Sequence, residues 1–362
     1  LPDRTQDSMG IGGTEWRSHS RDLPGPGTGT GAGTMGRPTR LRGLGMAHTG
    51  TLAYSNHRRE TLPQAEPLME LHDAVILEEP PTPGFRGMLD GDQEIDTYLE
   101  QVDYEYPEFA RRSCSLYRRL KGQGISIYQT DPYLMLLGEI HDLFEAGGSP
   151  SHAADDPRLG PVYAAEREWT AALIAFYGSA LSAPFEDVVR SVTAFARSDA
   201  ARGRLRDALR VRAILQTLPE HESVYIEAGT LHLALLQEFL RSRPSGTRVR
   251  VRHLMQPVVH ELGGKIRGLG PGDRLTLMLT ARPERQGTRV DLLAARSLIY
   301  NRILHLEEMS PGDGHHPHTR DEVEAGRLVD QLGYENCREL YRQVKTMPRV
   351  EARSLVQGYV AG

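Results

Sequence analysis

Between residues 39 and 308, short apolar runs alternate with much longer stretches in which apolar residues recur at three- and four-residue spacing. A strand that must be buried on both faces reads as a continuous apolar run, and a helix laid over it reads as an amphipathic stripe. Strands are expected near 40–46, 74–78, 125–129, 223–227, 248–254 and 274–280. Helices are expected over 56–71, 92–121, 132–146, 161–181, 184–215, 231–242 and 291–307. The alternation predicts an α/β fold with a mainly parallel, twisted sheet flanked by helices. The stretch from about 130 to 220 is almost wholly helical and is expected to form a helical cap or insertion over the sheet.

Composition sets the limits of this α/β domain. Residues 1–38 are rich in Gly, Thr, Pro and Arg, centred on the run from Pro24 to Gly31, and are expected to be a flexible tail because they cannot bury enough apolar surface to offset ordering. The Gly/Pro/His run from Ser310 to His318 ends the domain, and 309–362 is expected to be a polar, weakly structured segment. A net charge of -5 argues against nucleic acid or an anionic membrane as a general partner. No apolar run reaches the roughly 18 residues of a membrane span, and two distant cysteines, Cys114 and Cys337, suggest neither a disulfide framework nor a thiolate metal site. A cytoplasmic protein with a small-molecule or peptide substrate is the expectation.

Gly-x-x-His occurs four times, where composition alone supplies about one or two. Gly45 to His48 and Gly229 to His232 stand out, each placed after an expected strand, where parallel sheets deliver the loops that carry ligand chemistry. Glu78 and Glu79 end the second expected strand and Glu227 ends the fourth; charges there are costly unless paired or bound. Successive strand side chains alternate in direction, so Glu78 and Glu79 cannot serve one site equally; Glu78 is preferred, with Glu79 its rival. Arg167, between Glu166 and Glu168 in an expected helix, could hold a developing oxyanion or a substrate carboxylate. His48, Glu78 and His232 have the donor types of a divalent site for Mn, Zn, Co or Fe, and the same groups could work as a metal-free acid/base set. Asp131, ending the third strand, is a weaker site residue. The arginines 197, 202, 204, 206, 210 and 212 read as a solvated helix face, and His315, His316 and His318 as an adventitious metal-attracting cluster. Serine-type hydrolysis and nucleotide use are disfavoured, because no nucleophile elbow, phosphate loop or dinucleotide fingerprint is present.

The order of these motifs resembles the superfamily that unites TIKI proteases, TraB/PrgY pheromone-shutdown proteins, erythromycin esterases and ChaN-like haem-binding proteins. The residues that carry the resemblance are Gly45 to His48, Glu78 in Ile76-Leu77-Glu78-Glu79-Pro80, Arg167, and Gly229 to His232, spanning about 40–245. The acidic residue that erythromycin esterases carry after the first glycine is absent here, which leaves Glu78 and Glu227 to supply the carboxylates. The resemblance implies a hydrolase of an ester, lactone or peptide bond, metal-assisted in the TIKI branch and histidine-based in the esterase branch, with acyl transfer or cyclisation as variants of the same chemistry. Its other branches imply a non-catalytic peptide- or haem-sequestering protein.

Overall fold

A computed structural model describes residues 48–102, 104–265, 268–309 and 314–362. The flexible tail expected over 1–38 and the strand expected over 40–46 lie outside the described residues. Five strands form one all-parallel sheet: β1 (Thr49–Ser55), β2 (Ala74–Leu77), β3 (Ser126–Gln129), β4 (Ser223–Gly229) and β5 (Arg248–His253), in the order β3-β2-β4-β1-β5. The protein is thus an α/β fold with helices on both faces of its sheet.

Along the chain the helices are α1 (Leu62–Met69), α2 (Phe85–Asp90), α3 (Ile95–Leu99), α4 (Pro107–Gly122), α5 (Pro132–Glu145), α6 (Pro150–Asp155), α7 (Gly160–Ser182), α8 (Phe185–Thr217), α9 (Leu233–Ser242) and α10 (Gln256–Glu261). They continue with α11 (Pro271–Ala281), α12 (Thr288–Ile303), α13 (Pro317–Asp330), α14 (Tyr334–Val344) and α15 (Arg349–Ala361). None of them is long and apolar enough to cross a membrane.

Alternation along the strands sorts the core. Val75, Leu77, Ala53 and Tyr225 point to the face covered by α1 and α4, through Leu62, Ala65, Met69, Tyr117 and Leu120. Leu52, Ile76, Ile226 and Ala228 point to the other face, against Val211 and Ile214 of α8 and Leu235 and Phe239 of α9. The connections leaving the adjacent strands β1 and β4 therefore depart to opposite faces and open a crevice at their C-terminal ends, the place where open α/β sheets bind ligands. At the outer edge, β5 turns Val249 and Val251 toward the core cluster, while Arg248, Arg250 and Arg252 alternate with them and are exposed.

Four expectations need correction. Residues 274–280 form most of α11, not a strand: Pro271 supplies the first helical position, Asp273 accepts from the Gly270 amide at 3.1 Å, and packing between α8 and α12 makes the helix apolar around most of its circumference. The helix expected over 92–121 is two helices, because Pro107 starts a new one at its N-terminal position. The segment 309–362, expected to be weakly structured, holds α13, α14 and α15. Cys337, Leu340, Tyr341 and Val344 form an i, i+3, i+4, i+7 stripe buried against α12 and the N-terminal half of α8, in the largest apolar cluster of the described residues. His318 is likewise structural, 2% exposed and accepting the Met309 amide at 2.9 Å, not part of a free metal-attracting cluster.

Candidate active site

Glu78 leaves the end of β2 on the α8 face of the sheet and meets groups from three other elements. Its Oε1 accepts from His232 Nε2 at 2.5 Å, and its Oε2 accepts the backbone amide of Gly229 at the end of β4. The second ring nitrogen of His232 donates to Asp207 of α8, whose other oxygen accepts the Leu235 amide at 2.8 Å in the first turn of α9. One turn of α8 supplies two guanidiniums: Arg206 Nη2 lies 3.1 Å from Glu78 Oε1 and Arg210 Nη1 lies 3.6 Å from Glu78 Oε2. Arg206 also pairs with Asp131 at 2.6 Å, and Arg210 is fixed by the carbonyls of Thr130 and Glu227 at 3.1 and 3.0 Å.

The cluster is almost dry and balanced. Three carboxylates (Glu78, Asp131, Asp207) face three cations (Arg206, Arg210 and a His232 that donates from both nitrogens). Burial by itself would raise the Glu78 carboxyl, but His232, Arg206 and Arg210 hold it well below the ordinary carboxylate range. Burial would likewise lower His232, yet Glu78 and Asp207 push it up to about 9, so it is an imidazolium at neutral pH. Removing one member of such a network typically costs about 3 to 5 kcal/mol, because its partner stays buried and uncompensated.

His57, two residues beyond β1, completes the arrangement. Its Nε2 lies 3.9 Å from Glu78 Oε2, and its side chain is 23% exposed against 3% for Glu78. Burial lowers its pKa more than Glu78 raises it, which leaves a neutral ring. A Cβ added to Gly229 would stand 3.3 Å from His232 Cδ2, 3.5 Å from Glu78 Oε2 and 3.5 Å from His57 Cε1, so the three side chains converge on this one backbone position. Two histidines in one site thus carry different charge at one pH, the condition for separate base and acid roles.

Of the expected residues, Glu78 and His232 meet as anticipated, and Asp131 joins them through Arg206. Glu79 takes the opposite face, where Gln129 Nε2 donates to it at 3.0 Å. Glu227 is on that face too; burial first, then Glu79 and Glu78, raise its carboxyl to about 8, and its oxygen receives the Glu78 amide at 3.4 Å. It borders the cluster as a neutral acid.

His48 and Arg167 are corrections. His48 precedes β1: its carbonyl accepts from Arg248 and its Nδ1 contacts the His221 carbonyl at 2.8 Å, both at the N-terminal edge of the sheet. The seven residues of β1 place it roughly 20 Å from the opposite edge, so His48, Glu78 and His232 cannot share a metal. The histidine that β1 delivers is His57. Arg167 is exposed on α7 and lies over its own helix neighbour Tyr163, 5.7 Å from the ring centroid; Glu166 turns inward instead, to Arg202 at 2.6 Å. The guanidiniums that reach Glu78 are those of Arg206 and Arg210.

No group of three or more His, Cys, Asp or Glu side chains among the described residues is arranged to hold a metal. Around Glu78 the donor chemistry fits a divalent cation poorly as it stands, since both His232 nitrogens carry protons and two guanidiniums already neutralise the carboxylate.

No family model matches the chain, and no solved structure matches it. A protein of Archaeoglobus fulgidus described as uncharacterized is 28% identical over 291 residues, 80% of this chain and 97% of its own length. The similarity therefore extends over most of the architecture and is not confined to one motif.

Proposed function

We propose that the chain is a metal-independent hydrolase of an ester, lactone or peptide bond, with His57 and Glu78 activating water. The observation that carries this reading is the convergence of a neutral, partly exposed His57 and an ionised Glu78 on Gly229, with His232, Arg206 and Arg210 held beside them in charge-balanced pairs. His57 takes a proton from water as the hydroxyl adds to the substrate carbonyl carbon. Glu78 stabilises the imidazolium this creates, and the cationic side chains favour the negative charge that develops on the carbonyl oxygen. His57 then returns its proton to the leaving oxygen or nitrogen as the bond to the acyl carbon breaks. Asp207 holds His232 in the doubly protonated state that keeps Glu78 ionised.

Of the residues that carry the resemblance to the TIKI, TraB and erythromycin esterase superfamily, Glu78 and Gly229 to His232 belong to this site, whereas His57 follows Tyr54-Ser55-Asn56 and not a Gly-x-x motif, so the resemblance lends the reading only part of its pattern. A panel of chromogenic esters, lactones and peptides should reveal turnover that falls about 100- to 10,000-fold in His57→Gln and in Glu78→Gln. Prior dialysis against a chelator should leave it unchanged. Undiminished turnover in His57→Gln would remove the general base. Loss on chelation with recovery on adding Mn or Zn would replace the mechanism with a metal-assisted one. A panel without any turnover, together with a haem absorbance band that responds to His57→Gln, would favour the sequestering branch of the resemblance.

A further inference from the structure

Away from this crevice, α11 and α12 and the loop that joins them line an open pocket of about 360 Å³, within the range of small-ligand sites. Its floor is apolar, made by Leu277 and Leu293, which are nearly buried, and by Met278. Its rim is cationic: Arg282, Arg285 and Arg289 all line it and are exposed. Among the described residues none of these three has a carboxylate partner, whereas Arg274 on the same cavity wall pairs with Asp330 at 2.7 Å. Glu284 is the one acid in the loop sequence from Arg282 to Arg289. Nearby, Lys265, Arg274 and Arg296 share the single carboxylate of Asp330, which leaves that flank positive as well.

The loop is also braced. Arg197 donates to the Arg285 carbonyl at 3.1 Å, and Arg204 donates to the Leu279 carbonyl at 3.3 Å, so α8 holds both the loop and the end of α11 against the cavity. In a chain of net charge -5, three exposed like charges gathered around an apolar floor form a local positive rim that an anion would complement. Guanidinium forks match phosphate oxygens in geometry, and the floor offers a place for an apolar or aromatic body.

We propose that this cavity binds a multiply charged organic phosphate with an apolar part, a class to which the nucleoside di- and triphosphates belong. The phosphates lie on Arg282, Arg285 and Arg289, and the apolar part rests on Leu277, Met278 and Leu293. The site is separate from the hydrolytic crevice and does not depend on its reading.

The test is thermal-shift and calorimetric titration of the full chain with magnesium-free adenosine triphosphate, pyrophosphate and adenosine. Adenosine triphosphate should bind saturably, more tightly than pyrophosphate, and adenosine should bind weakest. The triple variant Arg282→Ala/Arg285→Ala/Arg289→Ala, all exposed positions that leave the fold intact, should weaken adenosine triphosphate at least about 100-fold, while Arg320→Ala on α13 should not. Unchanged binding by the triple variant, or no saturable binding at about 1 mM, overturns the proposal. Equal affinity for pyrophosphate and adenosine triphosphate overturns the ligand class. So does sedimentation with anionic vesicles when free adenosine triphosphate does not bind.

Discussion

Replacing Glu227 by Gln should stabilise the protein, and by an amount that grows with pH. In the folded chain this carboxyl titrates near 8, against 4.5 for the unperturbed group, because it is buried and shares its surroundings with Glu79 and Glu78. A group whose folded pKa is raised contributes fully below its unfolded pKa and turns into a growing liability as pH climbs to the folded value. At pH 5 the unfolded carboxyl is largely ionised and the liability is under about 1 kcal/mol; at pH 7 it reaches about 3 kcal/mol, and above pH 8 it levels off near about 5. Glutamine is nearly isosteric, never ionises, and keeps an oxygen to accept the Glu78 amide. Urea unfolding of the two proteins at pH 5, 6, 7 and 8 reads the difference directly. A gain of about 2 to 3 kcal/mol at pH 7 that shrinks below 1 at pH 5 is expected, with equal urea slopes. A gain or loss that is the same at every pH would refute the reasoning, since it would mean that Glu227 does not carry a shifted proton.

The pH profile of kcat/KM should rise with a midpoint below 6.5, where His57 loses its proton, and fall near about 9, where His232 gives up its charge; a rise centred above 7 would contradict the neutral ring assigned to His57. His48→Ala should cost only about 1 kcal/mol, for one lost contact to the His221 carbonyl, and Arg167→Ala less than about 0.5, with turnover close to that of the parent in both; a large activity loss in either would mean that the crevice is wrongly drawn. Leu340→Ala, at a fully buried position of α14, should cost about 2 to 5 kcal/mol by chemical denaturation, whereas a loss below 1 would show that the C-terminal helices are loosely held.

Much of this arrangement is legible in the sequence. The apolar runs at 74–78 and 223–227 are strands because continuous burial at the centre of a parallel sheet requires them, 125–129 and the alternating Arg/Val stretch 248–254 fit its two edges, and Glu78 and His232 follow from strand ends that carry charge. The first strand was hidden because Thr49-Gly50-Thr51 dilutes its apolar signal, although Leu52, Ala53 and Tyr54 before Ser55-Asn56 mark a strand that ends just ahead of His57. Because β1 follows His48, the histidine it delivers to the crevice is His57. Arg206, Asp207 and Arg210 were concealed by the common rule that a charged helix face is solvated. The discriminating pattern is the stripe Asp207, Arg210, Val211, Ile214, Leu218, in which charges and apolar residues share one buried side of α8. In α14 the sparse apolar stripe was outweighed by surrounding charge, though its spacing is regular.

The row of arginines along β5 bears on how copies of the chain behave together. A parallel sheet that stops at an open border invites another molecule to extend it, with strands settling about 4.8 Å apart. Two such borders brought side by side would crowd six guanidiniums into neighbouring ladders. Among the described residues no strand pairs with the outer side of β5, and such repulsion would oppose edge-to-edge addition of another copy, less so as ionic strength climbs.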